Sequence, residues 1–172
     1  MPVHLLPDAG PLITLAYAEA LDVLLLPGWS VRIVDMVLHE VTRNETPTRT
    51  VISQWISHHA LPIISTNTFE HHLQQLSKTP KTVRTANLGE VAIQEVMNRH
   101  ALDESPSTGV FLFEDHRIAS ASFLLPDNCR KVSTRAFLSF LEETHAIESA
   151  FAVERRAIEN GRHFSRLRFP PT

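Results

Sequence analysis

Short apolar runs alternate along this chain with longer segments in which apolar residues recur every three or four positions. Val3 to Leu6 is a compact apolar run closed by Pro7-Asp8-Ala9-Gly10, and Pro11 then opens a helix carrying Leu12, Ile13, Leu15, Ala16 and Ala20. Leu21 to Leu26 ends at Pro27-Gly28, a turn pair. Val31, Ile33 and Val34 predict a second short strand, with Asp35 placed to cap a helix through Val37, Leu38 and Val41. A loop over Asn44 to Arg49 leads to a helix over Val51 to Ala60, and Leu61 to Ser65 predicts a third strand. A short helix over Phe69 to Leu76 and a polar loop over Lys78 to Ala86 follow.

The clearest helix runs from Leu88 to about Ala101, preceded by Asn87. After a loop over Asp103 to Gly109, Val110 to Phe113 is wholly apolar, the pattern of a central strand in a parallel sheet. Ile118 to Leu124 reads as a helix ended by Pro126-Asp127-Asn128. Lys131 to Ser133 predicts a last strand, followed by helices over Phe137, Leu138 and Leu141 and over Glu148 to about Gly161. This alternation specifies an α/β fold with a mainly parallel sheet between helices.

Composition narrows the class. The chain has 172 residues, 43% hydrophobic and 20% charged, which suits one globular domain rather than a disordered or fibrous chain. Its net charge of -3 gives no general attraction to nucleic acid, so any phosphate binding must be local. The lone Cys129 excludes an internal disulfide and fits a reducing cytoplasm. The opening MPVHLLPDAG has no basic segment followed by a long apolar stretch, and Val23 to Pro27 is too short to span a bilayer. No signal peptide or membrane association is expected, and a cytoplasmic location is.

Four acids stand where chemistry is expected. In open parallel sheets, ligands gather beyond the carboxyl ends of the strands. Asp8 follows the first strand, and Asp115 follows Val110 to Phe113 with Glu114 between. Glu40 and Glu90 lie on helices that begin on the same edge. Carboxylates crowded together repel, and a divalent ion relieves that repulsion. Mg²⁺ and Mn²⁺ prefer such oxygen ligands, and they activate water for attack on phosphodiesters. Each acid also has a plain structural reading. Asp8 fits a helix cap or an Asx-turn with Gly10, Glu40 an exposed helix face, and Asp115 a cap on the next helix. Asn87 and Glu90 have the spacing of a capping box. The shared edge, not any single acid, carries the argument.

Four ordered motifs then resemble the PIN domain family, in particular the VapC-type toxin ribonucleases. These are Pro7-Asp8-Ala9-Gly10-Pro11-Leu12-Ile13, Val34-Asp35-Met36-Val37-Leu38-His39-Glu40-Val41, Asn87-Leu88-Gly89-Glu90-Val91-Ala92-Ile93 and Phe111-Leu112-Phe113-Glu114-Asp115-His116-Arg117-Ile118-Ala119. Leu21-Asp22-Val23-Leu24-Leu25 fits between the first two, and the match spans about residues 3 to 140. The resemblance implies a PIN-like three-layer α/β/α sandwich with about five strands in its sheet. It divides the chain into a PIN-like domain over residues 1–145 and a helical, basic extension over 146–172. It also implies an endoribonuclease site of Asp8, Glu40, Glu90 and Asp115, with Asp8, Glu90 and Asp115 holding Mg²⁺ or Mn²⁺. RNA as substrate, a homodimer and a neighbouring antitoxin protein complete the implied picture. The chain departs from the family at Gly10, where many members carry serine or threonine, and in the sequence Phe-Glu-Asp of the acidic turn.

Candidate phosphate contacts are Arg117, beside Asp115, and Arg130 and Lys131 around the last strand, with Arg135 close by. Lys78, Lys81 and Arg84 share a loop, and Arg155, Arg156, Arg162, Arg166 and Arg168 give the tail a positive surplus. Ser133 and Thr134 suit either a metal-bound water or a structural role. The His58-His59 and His71-His72 pairs point apart on a helix and lack metalloprotease spacing, and no phosphate-binding glycine loop is present. A PIN-fold binding or regulatory protein with a weakened acidic site is the alternative to an enzyme. A receiver-like phosphoacceptor built on Asp8 and Lys131 is disfavoured, because Ile63-Ile64-Ser65-Thr66 places no acid after the third strand.

Overall fold

The first apolar run forms β1 (Val3–Pro7), and the computed structural model describes residues 1–81, 87–103, 106–114 and 125–163. α1 (Ala9–Tyr17) follows at once, two residues earlier than Pro11 suggests, because Asp8 rather than the turn caps it. Proline is tolerated in this first turn, where backbone N–H groups have no intrahelical partner. A 3₁₀ stretch over Leu21–Leu25 leads to β2 (Ser30–Val31) and β3 (Ile33–Val34). Then come α2 (Asp35–Thr42), α3 (Arg49–His58), β4 (Ile63–Ile64) and α4 (Asn67–Lys78). α5 (Leu88–Ala101), β5 (Thr108–Phe113), β6 (Cys129–Ser133), α6 (Thr134–Glu143) and α7 (Ala150–Glu159) complete the described elements.

Among the described residues, all strand pairs are parallel. One sheet has the order β2-β1-β5-β6 and a second joins β3 to β4. The expected second strand is thus two pieces that change partner at Arg32. The Arg32 N–H donates to Leu5 O at 3.0 Å, and the next N–H, of Ile33, donates to Pro62 O at 2.9 Å. The chain winds from β1 to β2 on one side and crosses to β5 on the other, so strand order reverses between β1 and β5. Crevices open at such switch points.

Helices cover both faces. Gly109 faces α5, since a Cβ there would lie 3.5 Å from His100 and 3.8 Å from Met97. Alternation along β5 puts Phe111 and Phe113 on that face, and Val110 and Leu112 on the other. The second face receives α1, with α7 packed against α1 and α6. α2 contacts α1, α3, α4 and α5, closing one side. Leu5, Leu12, Ile33, Val37, Ile93, Phe111 and Leu112 are fully buried, each contributing about 1.5–3 kcal/mol through removal from water. Among the described residues, no helix is long and apolar enough to cross a membrane.

Several helix starts are fixed by side chains remote in sequence. Asp35 accepts from the Met36 N–H (2.7 Å) within α2 and from the Thr66 N–H and hydroxyl (both 2.7 Å) at the start of α4. Glu95 of α5 accepts from the N–H groups of Asn67 (2.8 Å) and Thr68 (3.0 Å). Burial acts to raise the Glu95 carboxyl, but those bonds, the Thr68 hydroxyl and Arg99 outweigh it and hold it below the ordinary value. The helix expected over 118–124 lies outside the described residues.

Candidate active site

α5 runs antiparallel to the strands, so its first turn reaches the carboxyl edge of the sheet while His100 sits at the opposite edge. The rings of His4 and His100 are 5.0 Å apart, which places His4 on the α5 face of β1. Leu6 shares that face by alternation. Asp8, extended at φ -76° and ψ 174°, continues the pattern onto the same side. Its backbone N–H donates to Leu112 O at 2.9 Å, pinning it beside the end of β5. One carboxylate oxygen of Asp8 accepts from the Ala9 N–H at 2.8 Å, so the residue caps α1 while standing at the switch point.

Glu40, in the last turn of α2, crosses to the start of α5 and accepts from the Gly89 N–H at 3.1 Å. A Cβ on Gly89 would lie 2.6 Å from Glu40 Oε2, so glycine is what lets the carboxylate lie against this helix end. Burial pushes the Glu40 carboxyl above its ordinary value, with the Gly89 N–H and Arg43 acting the other way. A partly buried carboxylate of this kind favours a positive neighbour. The exposed-face reading of Glu40 is thereby replaced by a role at the α5 N-terminus.

The capping box expected from Asn87 and Glu90 does not form as such. Asn87 takes the left-handed conformation (φ 65°), and its side chain makes no capping hydrogen bond. Glu40 takes up the Gly89 N–H in its place. Glu90 occupies the first turn of α5, partly buried, near enough to Lys131 to support its positive charge against the lowering effect of burial. The Lys131 ammonium lies 5.1 Å from the Phe113 ring centroid. Thus Asp8, Glu40, Glu90 and Lys131 are carried to one edge by β1, α2, α5 and β6.

Asp115, His116 and Arg117 lie outside the described residues, as do Arg84, Arg166 and Arg168. Among the described residues, no group of three or more histidine, cysteine, aspartate or glutamate side chains is placed to hold a metal ion. Asp8, Glu40 and Glu90 therefore do not close a coordination shell by themselves.

The sequence reading passed over one cluster. Glu114 follows Phe113 and turns to the α1 face, where both its oxygens lie 2.8 Å from the Thr14 hydroxyl. Arg162, beyond α7, donates to Thr14 Oγ1 at 2.8 Å and to Glu114 Oε2 at 3.3 Å. A Cβ at Gly10 would stand 3.0 Å from both Cβ and Oε2 of Glu114. Burial raises the Glu114 carboxyl, opposed by Thr14 and Arg162. The available signal was that Gly10 and Glu114 both differ from the PIN motifs that the chain resembles.

The described cations are mostly engaged within the chain. Arg130, exposed at the start of β6, donates to the carbonyls of Asp127 (2.7 Å) and Cys129 (2.8 Å). Arg135 pairs with Glu154 at 2.9 Å, Arg155 with Glu159 at 2.7 Å, and Arg156 donates to Ala18 O at 3.2 Å. Of the tail arginines, Arg155 and Arg156 thus have partners within the fold, and Arg166 and Arg168 lie outside the described residues. Ser133 caps α6 through the Ala136 N–H, and buried Thr134 donates to Phe113 O, which gives each a structural role. Family models, curated proteins and solved structures yield no match to this chain.

Proposed function

We propose that this chain is a PIN-like, Mg²⁺- or Mn²⁺-dependent endoribonuclease. The observation that carries the reading is the placement of Asp8 at the β1/β5 switch point, opposite the α5 N-terminus where Glu40 and Glu90 lie. The donors are all carboxylates, which suits Mg²⁺ or Mn²⁺ rather than zinc. The space a Cβ of Gly89 would fill is given to Glu40, so the helix start is shaped around an acid.

In this reading Asp8 and Asp115 are the main ligands, and Glu90 and Glu40 bind or order the surrounding water. A bound ion would supply an activated water and stabilise charge on the phosphodiester. Asp8 is oriented by the bond that one of its oxygens accepts from the Ala9 N–H. Glu40 holds its carboxylate against the Gly89 N–H, where the positive end of the α5 dipole favours anions. Lys131 steadies Glu90, and with Arg130 and Arg117 offers positive charge to RNA phosphates. The same reading carries a homodimer and a neighbouring antitoxin as expected partners.

The second reading is a PIN-fold binding or regulatory protein. It is favoured by the lack of a closed coordination shell among the described residues and by the loss of a hydroxyl at Gly10. RNA cleavage decides between them: purified protein with Mn²⁺ should cut a single-stranded RNA, and Asp8→Asn should abolish the cutting with the fold retained. Mn²⁺-dependent RNA binding without cutting by the wild type would favour the regulatory reading.

A further inference from the structure

We propose that Arg162 is a positioning residue of this site that acts through Glu114: with Thr14, it holds the Glu114 carboxylate on the α1 face of the sheet, out of the crevice between Asp8 and the start of α5. The inference rests on the metal-dependent reading of that crevice. Three hydrogen bonds join the residues: Arg162 Nε donates to Thr14 Oγ1 (2.8 Å), the Thr14 hydroxyl donates to Glu114 (2.8 Å), and Arg162 Nη2 donates to Glu114 Oε2 (3.3 Å). Thr14 is 1% exposed, and the Glu114 and Arg162 side chains are 17% and 19% exposed. Removing one partner of such a buried pair leaves an uncompensated charge.

Glu114 is one residue beyond β5, and the Asp8 N–H bonds to Leu112 O at 2.9 Å, so the two acids leave adjacent strands side by side. They depart to opposite faces. Gly10 makes this possible, because any Cβ there would press on Glu114 at 3.0 Å. Without Arg162, the carboxylate loses its charged partner, and we place its new position at the acidic edge, because the Asp8 strand end adjoins the end of β5 from which Glu114 leaves. There it adds a negative charge that attracts a cation and repels RNA phosphate. The extension after residue 145 is then part of the working site rather than a separate phosphate-binding tail.

The test uses the full chain with Arg162→Met, Glu114→Gln, the double variant and Arg162→Lys. Mn²⁺ affinity is measured by electron paramagnetic resonance of the free ion, KM and kcat by cleavage of single-stranded RNA, and folding by circular dichroism. Arg162→Met should tighten Mn²⁺ binding by about tenfold or more, from one released carboxylate close to a divalent ion, and should raise KM for RNA. The double variant should return both values to within about threefold of wild type, a window well inside the effect of losing an outer metal-site partner. Arg162→Lys should keep Mn²⁺ affinity near wild type, and if Arg162→Met does not fold, Arg162→Gln takes its place with the same expected tightening and the same overturning result. A structural role alone would not tighten metal binding, so unchanged Mn²⁺ affinity in folded Arg162→Met overturns the proposal. So does a KM that stays high in the double variant, which would make Arg162 a phosphate ligand. Loss of Mn²⁺ binding in Glu114→Gln also overturns it, by making Glu114 a metal ligand. A wild type that binds Mn²⁺ without cutting RNA removes the ribonuclease reading, while the affinity arms still decide the clamp. A wild type that does not bind Mn²⁺ overturns both.

Discussion

Replacing Gly89 with alanine sets two effects of opposite sign against each other. Inside a helix, glycine to alanine ordinarily stabilises by about 0.5–1 kcal/mol, through lost flexibility of the unfolded chain. Here the new Cβ would lie 2.6 Å from Glu40 Oε2, 3.1 Å from Cδ and 3.2 Å from Oε1. The carboxylate must move, and the 3.1 Å bond from the Gly89 N–H goes with it. Loss of a hydrogen bond to a charged group costs about 1.5–3 kcal/mol. The net expectation is destabilisation by about 1–2 kcal/mol, or roughly 2–8 °C in Tm at this chain length. The assay is thermal unfolding of Gly89→Ala in two backgrounds, wild type and Glu40→Ala. In the Glu40→Ala background nothing blocks the Cβ, so the same substitution should stabilise by about 0.5–1 kcal/mol. The sign reversal is the signature of direct contact. Equal stabilisation in both backgrounds would falsify the assignment of Glu40 to the α5 N-terminus.

Other substitutions test the remaining parts of the frame. Asn87→Gly should be neutral or stabilising in chemical denaturation, because Asn87 sits at φ 65° and its side chain caps nothing. A loss of about 1 kcal/mol would instead restore the capping box. Glu95→Ala should destabilise by about 1–3 kcal/mol, since it strips the α4 start of its acceptor. The Glu95 carboxyl is held low in the fold, so its contribution is present above the unfolded value of 4.5 and is lost as pH falls through the folded one. The difference between wild type and Glu95→Ala should therefore shrink on acidification below that value, and a constant difference would contradict the reasoning. His4 is held low by burial, Arg32 and His100, so the unfolded chain takes up its proton first and stability should fall as pH drops below about 6.5. His4→Phe should flatten that slope in denaturation curves between neutral pH and the acid side; an unchanged slope would assign it elsewhere.

What the chain reveals and conceals follows from physical range. α5 was readable to the residue, because its apolar period is sustained over four turns and Gly89-Glu90 opens it. β5 was readable as a central strand, since Val110 to Phe113 has both faces covered and needs no polar residue. The break at Arg32 was not, because the change of partner from Leu5 to Pro62 depends on strands far apart in sequence. Asn87 misled for the same reason. Local spacing suggested a cap, yet Glu40, 49 residues away, reached the Gly89 N–H first. Asp8 at the end of β1 was legible because a buried parallel sheet leaves its edge for charge, whereas Asp115 lies outside the described residues. The Arg162–Thr14–Glu114 set was not, since it joins residues 148 positions apart across the face opposite the crevice. The partners of Arg155 and Arg156 were hidden likewise, because folding brings Glu159 and the Ala18 carbonyl to them.

The central claim is that Asp8 serves a metal-dependent cleavage and not merely the capping of α1. The direct measurement is RNA cleavage by metal-stripped protein on adding back Mn²⁺, for wild type, Asp8→Asn and Asp35→Asn. Asparagine is also a good cap, so Asp8→Asn should keep the fold, and Asp35→Asn controls for an acid whose bonds are purely structural. The account predicts cutting restored by Mn²⁺ in wild type and in folded Asp35→Asn, with none in Asp8→Asn. Cutting by Asp8→Asn at the wild-type rate would contradict it.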